Sequence, residues 1–220
     1  MIDCKKISSE IKQGLKEELS KVMSDVTPRL AIIQVGNNEA SNRYVKGKLA
    51  DCEEVGIVAR HFRCNDNVTE DYILEMIEVL NGNKNIHGII VQLPLPKHLN
   101  EEKIVQSIDP KKDVDGFIPN SPFTPCTPLG VLTLLDKMGV DVKGKMITLV
   151  GYGKLVNKPL FPILSDMGAT VAVCRSNTAY EDLDMLCYHS NVVISAVGKH
   201  GTIKPWAVSC VACILIVESK

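Results

Sequence analysis

The run Arg29-Leu-Ala-Ile-Ile-Gln-Val35, closed by Gly36-Asn-Asn38, constrains this chain more than any other segment. It is apolar on consecutive rather than alternate residues, so a strand made from it must be covered on both faces, as in a parallel sheet. Its flanks agree. Before it, Ile7, Ile11, Leu15, Leu19 and Val22 recur at helical spacing from Cys4 to about Met23. After it, a helical segment runs to Gly56, a C-cap residue, and Ile57 to Phe62 reads as a second strand. Thr69 is placed as an N-cap, opening a helix that carries Ile73, Leu74, Ile77 and Leu80 on one face. Ile86-His-Gly-Ile-Ile-Val-Gln-Leu-Pro-Leu-Pro96 supplies a third strand, which Pro94 and Pro96 must end. A short helix is expected around Glu102 to Ser107.

Strands alternating with helices give an α/β fold with parallel sheets, where ligands gather at the carboxyl ends of the strands. Gln92 stands at such an end. Asp109-Pro-Lys-Lys-Asp-Val-Asp-Gly-Phe117, followed by Pro119, Pro122, Pro125 and Pro128, reads as a linker, dividing the chain into domains 1–120 and 121–220. Thr127-Pro128 suits an N-cap followed by Pro at the first helical position. The alternation then restarts. Strands are expected at Lys145–Val150, Ala169–Cys174, Val192–Ala196 and Ile214–Val217, with helices at Leu155–Met167 and Asp182–Tyr188, a doubly wound nucleotide-binding pattern.

Within the segment that follows the first strand, Tyr44 and Lys48 are spaced to share one helix face. A phenol beside a partly desolvated amine can form a proton-transfer pair, since burial and polar neighbours draw an amine's pKa towards neutrality. A solvated helix lysine with Tyr44 packed on a neighbouring element fits the same spacing.

Charge narrows the partners. The 25 basic residues nearly cancel the 26 acidic ones, which leaves neither a nucleic-acid footprint nor a polybasic membrane surface. Small molecules and other subunits are the expected partners. Met1-Ile-Asp-Cys-Lys-Lys6 lacks the apolar core of a signal peptide and no run reaches membrane-spanning length, so a cytoplasmic protein is expected. In a reducing compartment Cys4, Cys52, Cys64, Cys126, Cys174, Cys187, Cys210 and Cys213 read mainly as small apolar residues. Cys210-Val-Ala-Cys213 has redox or zinc spacing but no second pair, and no metal is expected.

Strand, Gly151-Tyr-Gly153, helix is an arrangement in which backbone amides and a helix N-terminus can meet a pyrophosphate. The third glycine of the usual fingerprint would fall at Val156. The next strand ends in Cys174-Arg-Ser176, where an acidic residue would suit NAD and an arginine accommodates the 2′-phosphate of NADP. A plain surface arginine at a strand end is the competing explanation.

Taken together, Ala40-Ser-Asn-Arg-Tyr-Val-Lys-Gly-Lys48, Val91-Gln-Leu-Pro-Leu-Pro96, Lys112-Asp-Val-Asp-Gly116, Pro125-Cys-Thr-Pro128 and Gly151-Tyr-Gly-Lys-Leu-Val-Asn-Lys-Pro159 resemble the bifunctional methylenetetrahydrofolate dehydrogenase/methenyltetrahydrofolate cyclohydrolase family, in order and spacing. The resemblance implies a three-layer α/β folate domain followed by a Rossmann-like, doubly wound NAD(P)-binding domain, with the folate cleft between them, and a homodimer. It implies Lys48 as the central acid/base group with Tyr44 beside it, Gln92 hydrogen-bonded to Lys48, and Asp115 on the pterin ring. Pro94 and Pro128 would shape cleft walls, and Asp113 would be structural. Gly151, Tyr152, Gly153, Val156, Arg175 and Ser176 would bind NADP, with NAD as a possible alternative. The implied activities are oxidation of methylenetetrahydrofolate and hydrolysis of the methenyl product to formyltetrahydrofolate.

Two stretches depart from the family pattern. Tyr152 and Gly153 stand where the family has Arg-Ser, and Asn157 where it has Gly. After Trp206 the sequence departs from the family's closing strand, turn, glycine-rich loop and helix, so a shortened C-terminus is expected. A folate- or nucleotide-binding homologue without dehydrogenase turnover is the alternative that this ending raises.

Overall fold

A computed structural model describes residues 2–22, 26–199, 201–209 and 212–217. The chain divides into two units, Met1–Thr124 and Pro125–Lys220. In the first, the helices are α1 (Cys4–Val22), α2 (Glu39–Val55), α3 (Glu70–Gly82) and α4 (Glu101–Gln106), and the strands are β1 (Arg29–Val35), β2 (Val58–Cys64) and β3 (Gly88–Val91). The sheet is parallel, in the order β2-β1-β3. β1 is central and covered on both faces, as its unbroken apolar run requires. Ala31, Ile33, Val35, Ile89 and Val91 face a core built with Ile73, Ile77 and Leu80 of α3 and Ile104 of α4. Ile32 and Ile90, pointing the other way, pack against Val45 and Leu49 of α2 and against Val114. The result is three layers.

Local signals set the boundaries. The Asn38 side chain accepts from Ser41 N at 3.0 Å to start α2, and Gly56, with φ of 90°, stops it in the left-handed conformation that glycine tolerates best. Thr69 caps α3 through Tyr72 N, as its sequence position predicts. β2 extends past the expected Phe62 to Cys64, because its register on β1 runs to Val35. α1 ends at Val22, and the expected last residue, Met23, lies outside the described residues. Lys12 Nζ ties α1 to α2 through Asp51 and Glu54, at 3.2 and 2.5 Å.

The second unit contains α5 (Cys126–Lys137), α6 (Asn157–Asp166) and α7 (Tyr180–His189), with strands β4 (Met146–Val150), β5 (Thr170–Cys174), β6 (Val192–Ser195) and β7 (Cys213–Ile216). Its parallel sheet has the order β5-β4-β6-β7. Ile147, Leu149, Val192 and Ile194 meet Val131, Leu135, Leu160 and Leu164 from α5 and α6. Val150, Cys174 and Val193 face Leu183 and Cys187 of α7. Helices therefore cover both faces, which is the doubly wound arrangement.

Three helix starts differ from expectation, α7 beginning at Tyr180 rather than Asp182. α5 begins at Cys126 after Pro125, so Thr127 and Pro128 fall inside the first turn rather than capping it. Pro128 is tolerated there because first-turn amides have no intrahelical acceptor to lose. α6 begins at Asn157 rather than Leu155, leaving Val156 as an N-cap without a side-chain hydrogen bond. Cys52, Cys174 and Cys187 are buried, and Cys210, half of the Cys210-Val-Ala-Cys213 spacing, lies outside the described residues. Among the described residues, no helix is long and apolar enough to cross a membrane.

Candidate functional site

Val45 and Leu49 dock α2 on the sheet, and Tyr44 and Lys48 each precede one of them by a residue. At 3.6 residues per turn this sets Tyr44 and Lys48 in one row beside the buried stripe. Tyr44 is 45% exposed. Lys48 is half-buried, and its Nζ donates to Gln92 Oε1 at 3.2 Å. Gln92 immediately follows β3. Its backbone N–H continues the ladder to Ile33 O at 2.8 Å, and its Nε2 donates to Leu93 O at 2.9 Å. With the amide nitrogen so engaged, the amide oxygen is the atom left to face Lys48. Among the described residues no carboxylate forms an ion pair with that lysine.

Asp115 sits on a loop held from several sides. Asp113, 1% exposed, accepts from Gly116 N at 3.1 Å and from Ile118 N at 2.9 Å, while Ser121 Oγ donates to its backbone oxygen at 3.2 Å. Lys112 Nζ donates to Leu80 O, Asn81 O and Asn83 O at 2.8, 2.7 and 2.8 Å, placing a cation on the carbonyls that end α3. Val114 fills the space beside Gly88, where a Cβ would come within 2.7 Å of Val114 Cγ1. Asp115 itself is half-buried.

A polar chain beneath this site escapes a reading of the sequence. His61 Nε2 lies 3.0 Å from Gln34 Oε1, Gln34 Nε2 donates to Asn42 Oδ1 at 2.7 Å, and Asn42 Nδ2 donates to Asn37 Oδ1 at 2.8 Å. Arg63 donates to the same Asn37 oxygen. Because the Gln34 nitrogen serves Asn42, its oxygen must accept from His61, which fixes the proton on Nε2. Loss of solvent around the ring, and then the charge of Arg63, hold His61 below its ordinary value of 6.5. The chain links the ends of β1 and β2 to the first turn of α2, the turn before Tyr44.

In the second unit, Gly151 follows β4 with φ of +89°, and its N–H donates to Cys174 O at 2.8 Å. A Cβ there would stand 2.8 Å from Val197 Cγ1 and 3.1 Å from Ala196 O, so the turn admits only glycine. At Gly153 none of the described residues beyond its chain neighbours comes within 4 Å of the Cβ position, which leaves open space over the turn. Asn157 is fully buried, and its Nδ2 donates to Val150 O and Gly151 O, both at 3.0 Å. The side chain that departs from the usual pattern therefore bolts the turn to its strand. Its Oδ1 is buried with no partner among the described residues.

Arg175 and Ser176 follow β5. The guanidinium carbon of Arg175 stands 4.6 Å from the centroid of the Tyr152 ring, which meets Phe161 edge-on at 6.3 Å and 81°. Arg175 N accepts its place from Thr178, donating to Thr178 Oγ1 at 2.8 Å, and Thr178 N donates back to Arg175 O at 3.0 Å. Ser176 is exposed and makes no hydrogen bond among the described residues. A glycine turn, a helix N-terminus without a side-chain cap and an exposed arginine form a donor set that suits a phosphate-bearing nucleotide.

The structure thus joins Lys48 to Gln92 and Tyr152 to Arg175, sets Tyr44 one turn from Lys48, and roots Asp115 beside the α2 face through Val114. The supports that a sequence reading misses are Lys112 on the end of α3, Asn157 under the turn and the His61 to Asn37 chain. Gly88 alone carried a local signal, since an isolated glycine in a strand marks a close approach.

Residues 2–115 match the tetrahydrofolate dehydrogenase/cyclohydrolase catalytic domain, and residues 125–217 match the NAD(P)-binding domain of the same description. The bifunctional protein FolD of Agathobacter rectalis is 43% identical over 209 residues, covering 90% of this chain and 74% of that protein. FolD of Acetivibrio thermocellus is 38% identical over 235 residues, covering 100% and 82%. Among solved structures, FolD methylenetetrahydrofolate dehydrogenase/cyclohydrolase from Campylobacter jejuni superposes with a TM-score of 0.91 at 37% identity, over 94% of this chain and 77% of that one. The Trypanosoma brucei enzyme, complexed with NADP cofactor and inhibitor, gives a TM-score of 0.92 at 28% identity, over 97% and 77%.

Proposed function

The chain belongs to the tetrahydrofolate dehydrogenase/cyclohydrolase family, and from that premise we propose that Lys48 is the acid/base group of its folate chemistry, with Tyr44, Gln92 and Asp115 completing the site. The enzyme oxidises methylenetetrahydrofolate to methenyltetrahydrofolate with NAD(P) and hydrolyses the product to formyltetrahydrofolate, in one-carbon metabolism. NADP, when bound, supplies the acceptor for the hydride that leaves the methylene carbon.

In the hydrolytic step a water oxygen bonds to the methenyl carbon and a ring carbon–nitrogen bond breaks. A proton must leave the water and another must reach the departing nitrogen. A lysine amine can serve both transfers in turn. The observation that carries the assignment is the 3.2 Å bond from Lys48 Nζ to Gln92 Oε1. Gln92 orients the amine without adding charge, whereas a carboxylate partner would lock it as ammonium and spoil it as a base. Tyr44 stands one turn away on the same row, where its hydroxyl can donate or accept. Asp115 offers a carboxylate that can accept two hydrogen bonds from the amino group and ring nitrogen of a pterin.

For the cofactor, Gly151, Gly153 and the Val156 end of α6 hold the pyrophosphate, and Tyr152, Arg175 and Ser176 take the adenosine end. Asn157 keeps the turn seated by holding two of its carbonyls. The same family reading carries a cytoplasmic homodimer, for which light scattering should return twice the 24.1 kDa monomer mass.

Mixing the protein with methylenetetrahydrofolate and either NADP or NAD tests the assignment. Reduced cofactor should accumulate with at least one of them, and added methenyltetrahydrofolate should disappear faster than in buffer. Saturable folate binding with neither signal would leave a binding protein and overturn the catalytic reading.

A further inference from the structure

The nucleotide site contains a pairing that its assignment as a dinucleotide site does not explain. Arg175 is exposed, yet its side chain is supported on one face. Its guanidinium lies over the face of Tyr152, 4.6 Å from the ring centroid, and Tyr152 is braced edge-on by Phe161. The backbone under Arg175 is closed by the two hydrogen bonds with Thr178.

Stacking engages the flat face of a guanidinium and leaves its rim of N–H donors available. Among the described residues, no carboxylate pairs with that rim. An arginine so held is a preorganised anion receptor: it keeps its charge and donors while the ring restricts the rotamers it would otherwise lose on binding. Its place fixes which anion it meets. In a doubly wound domain the end of the strand after the glycine turn faces the ribose of the adenosine half, and a group there distinguishes a 2′-hydroxyl from a 2′-phosphate. Arg175 is the residue directly after β5, and Tyr152 lies inside the glycine turn itself.

Building on the nucleotide site proposed above, we propose that Tyr152 and Arg175 act as one element that selects NADP over NAD, with Arg175 touching the 2′-phosphate and the Tyr152 ring positioning Arg175. Selection then depends on a contact between two loops, and Tyr152 is a positioning residue with no contact of its own to the phosphate.

The test is equilibrium binding, by isothermal titration calorimetry on the full chain, of NADP, NAD, adenosine 2′,5′-bisphosphate and 5′-AMP. The wild-type protein should favour each 2′-phosphorylated ligand over its partner. Arg175→Ala should cut that preference by about 10- to 100-fold, the worth of a charge-assisted bidentate contact, by weakening each 2′-phosphorylated ligand more than its partner. Tyr152→Ala should cut it by about 2- to 5-fold, the scale of an exposed cation–π contact, and Tyr152→Phe should restore it because the ring face is kept. The preference should also weaken as salt rises. If Arg175→Ala keeps the wild-type ratio within about twofold, or Tyr152→Phe behaves like Tyr152→Ala, the proposal fails while the nucleotide site stands. If wild-type protein binds neither NADP nor NAD, the nucleotide site fails and the proposal with it.

Discussion

Replacing Asp113 by Asn asks how firmly the loop under Asp115 is held. Asp113 is 1% exposed and serves two backbone amides, Gly116 at 3.1 Å and Ile118 at 2.9 Å. An asparagine has one acceptor oxygen, so one amide must face an NH2 group. The two amides are not equivalent. Gly116 N also reaches Asp113 O at 3.2 Å, whereas the buried Ile118 N–H has, among the described residues, only the side-chain oxygen. The asparagine oxygen should therefore turn to Ile118, and Gly116 should fall back on the backbone acceptor. What is lost is one charge-assisted bond and the charge on the other, about 1.5 to 2.5 kcal/mol. Asp113→Ala leaves the Ile118 N–H unsatisfied as well and should cost about 3 to 4 kcal/mol. With a urea m-value of about 2 kcal/mol/M, the midpoints should fall by about 1 M and about 1.5 to 2 M. Urea unfolding followed by far-ultraviolet circular dichroism reads both, and folate KM should rise in Asp113→Asn while NADP affinity holds. An Ala variant within about 0.5 kcal/mol of wild type would refute the claim that this carboxylate organises the loop, and equal losses for Asn and Ala would refute the role given to the Gly116 fallback.

Three further outcomes follow from the geometry. Asn157→Asp should destabilise the protein more than Asn157→Ala, by about 1 kcal/mol or more in thermal or urea unfolding, because it sets a carboxylate against Val150 O and Gly151 O, whereas Ala also removes the orphan Oδ1. His61, with its folded pKa lowered, should titrate below 6.5 in an NMR pH series. The folded state takes that proton less readily than the unfolded chain, so His61 should subtract stability as pH falls through 6.5 and below, and a replacement by Gln should flatten that part of the profile. Burial pushes the Cys187 thiol up to about 12, so alkylation at pH 8 read by mass spectrometry should label exposed Cys4 and Cys126 while leaving Cys187 intact until the protein unfolds.

Much of this molecule is legible in its sequence because its signals are local and agree with one another. β1 declares a doubly covered strand by being apolar on successive residues, and Gly56 and Thr69 sit where a left-handed stop and an N-cap are needed. That Tyr44 and Lys48 share one row follows from their spacing once α2 is placed, while their role comes from the family resemblance. What the sequence hides is non-local. Lys112 reaches carbonyls about 30 residues earlier, and nothing in Lys-Asp-Val-Asp-Gly announces that acceptor set. Arg175 can be read as an NADP residue from its strand end, but its stacking on Tyr152 joins two loops that only the β4–β5 pairing brings side by side. Asn157 looks like a flaw in a glycine fingerprint until its amide is seen spanning the turn. The periodic face of α1 misleads in the other direction: spacing predicts burial, yet Ile11 and Leu15 remain 42% and 43% exposed.

Lys48 is the group on which the proposed chemistry depends, and hydrolysis of methenyltetrahydrofolate by Lys48→Ala protein measures its role most directly. The disappearance of methenyl absorbance gives the rate, and calorimetric titration with NADP reports on the second unit. A positioned acid/base group contributes about 10²- to 10⁴-fold, so the rate should drop by at least about 100-fold while NADP affinity is unchanged. Hydrolysis surviving within about tenfold of wild type, with NADP binding intact, would contradict the role assigned to that amine.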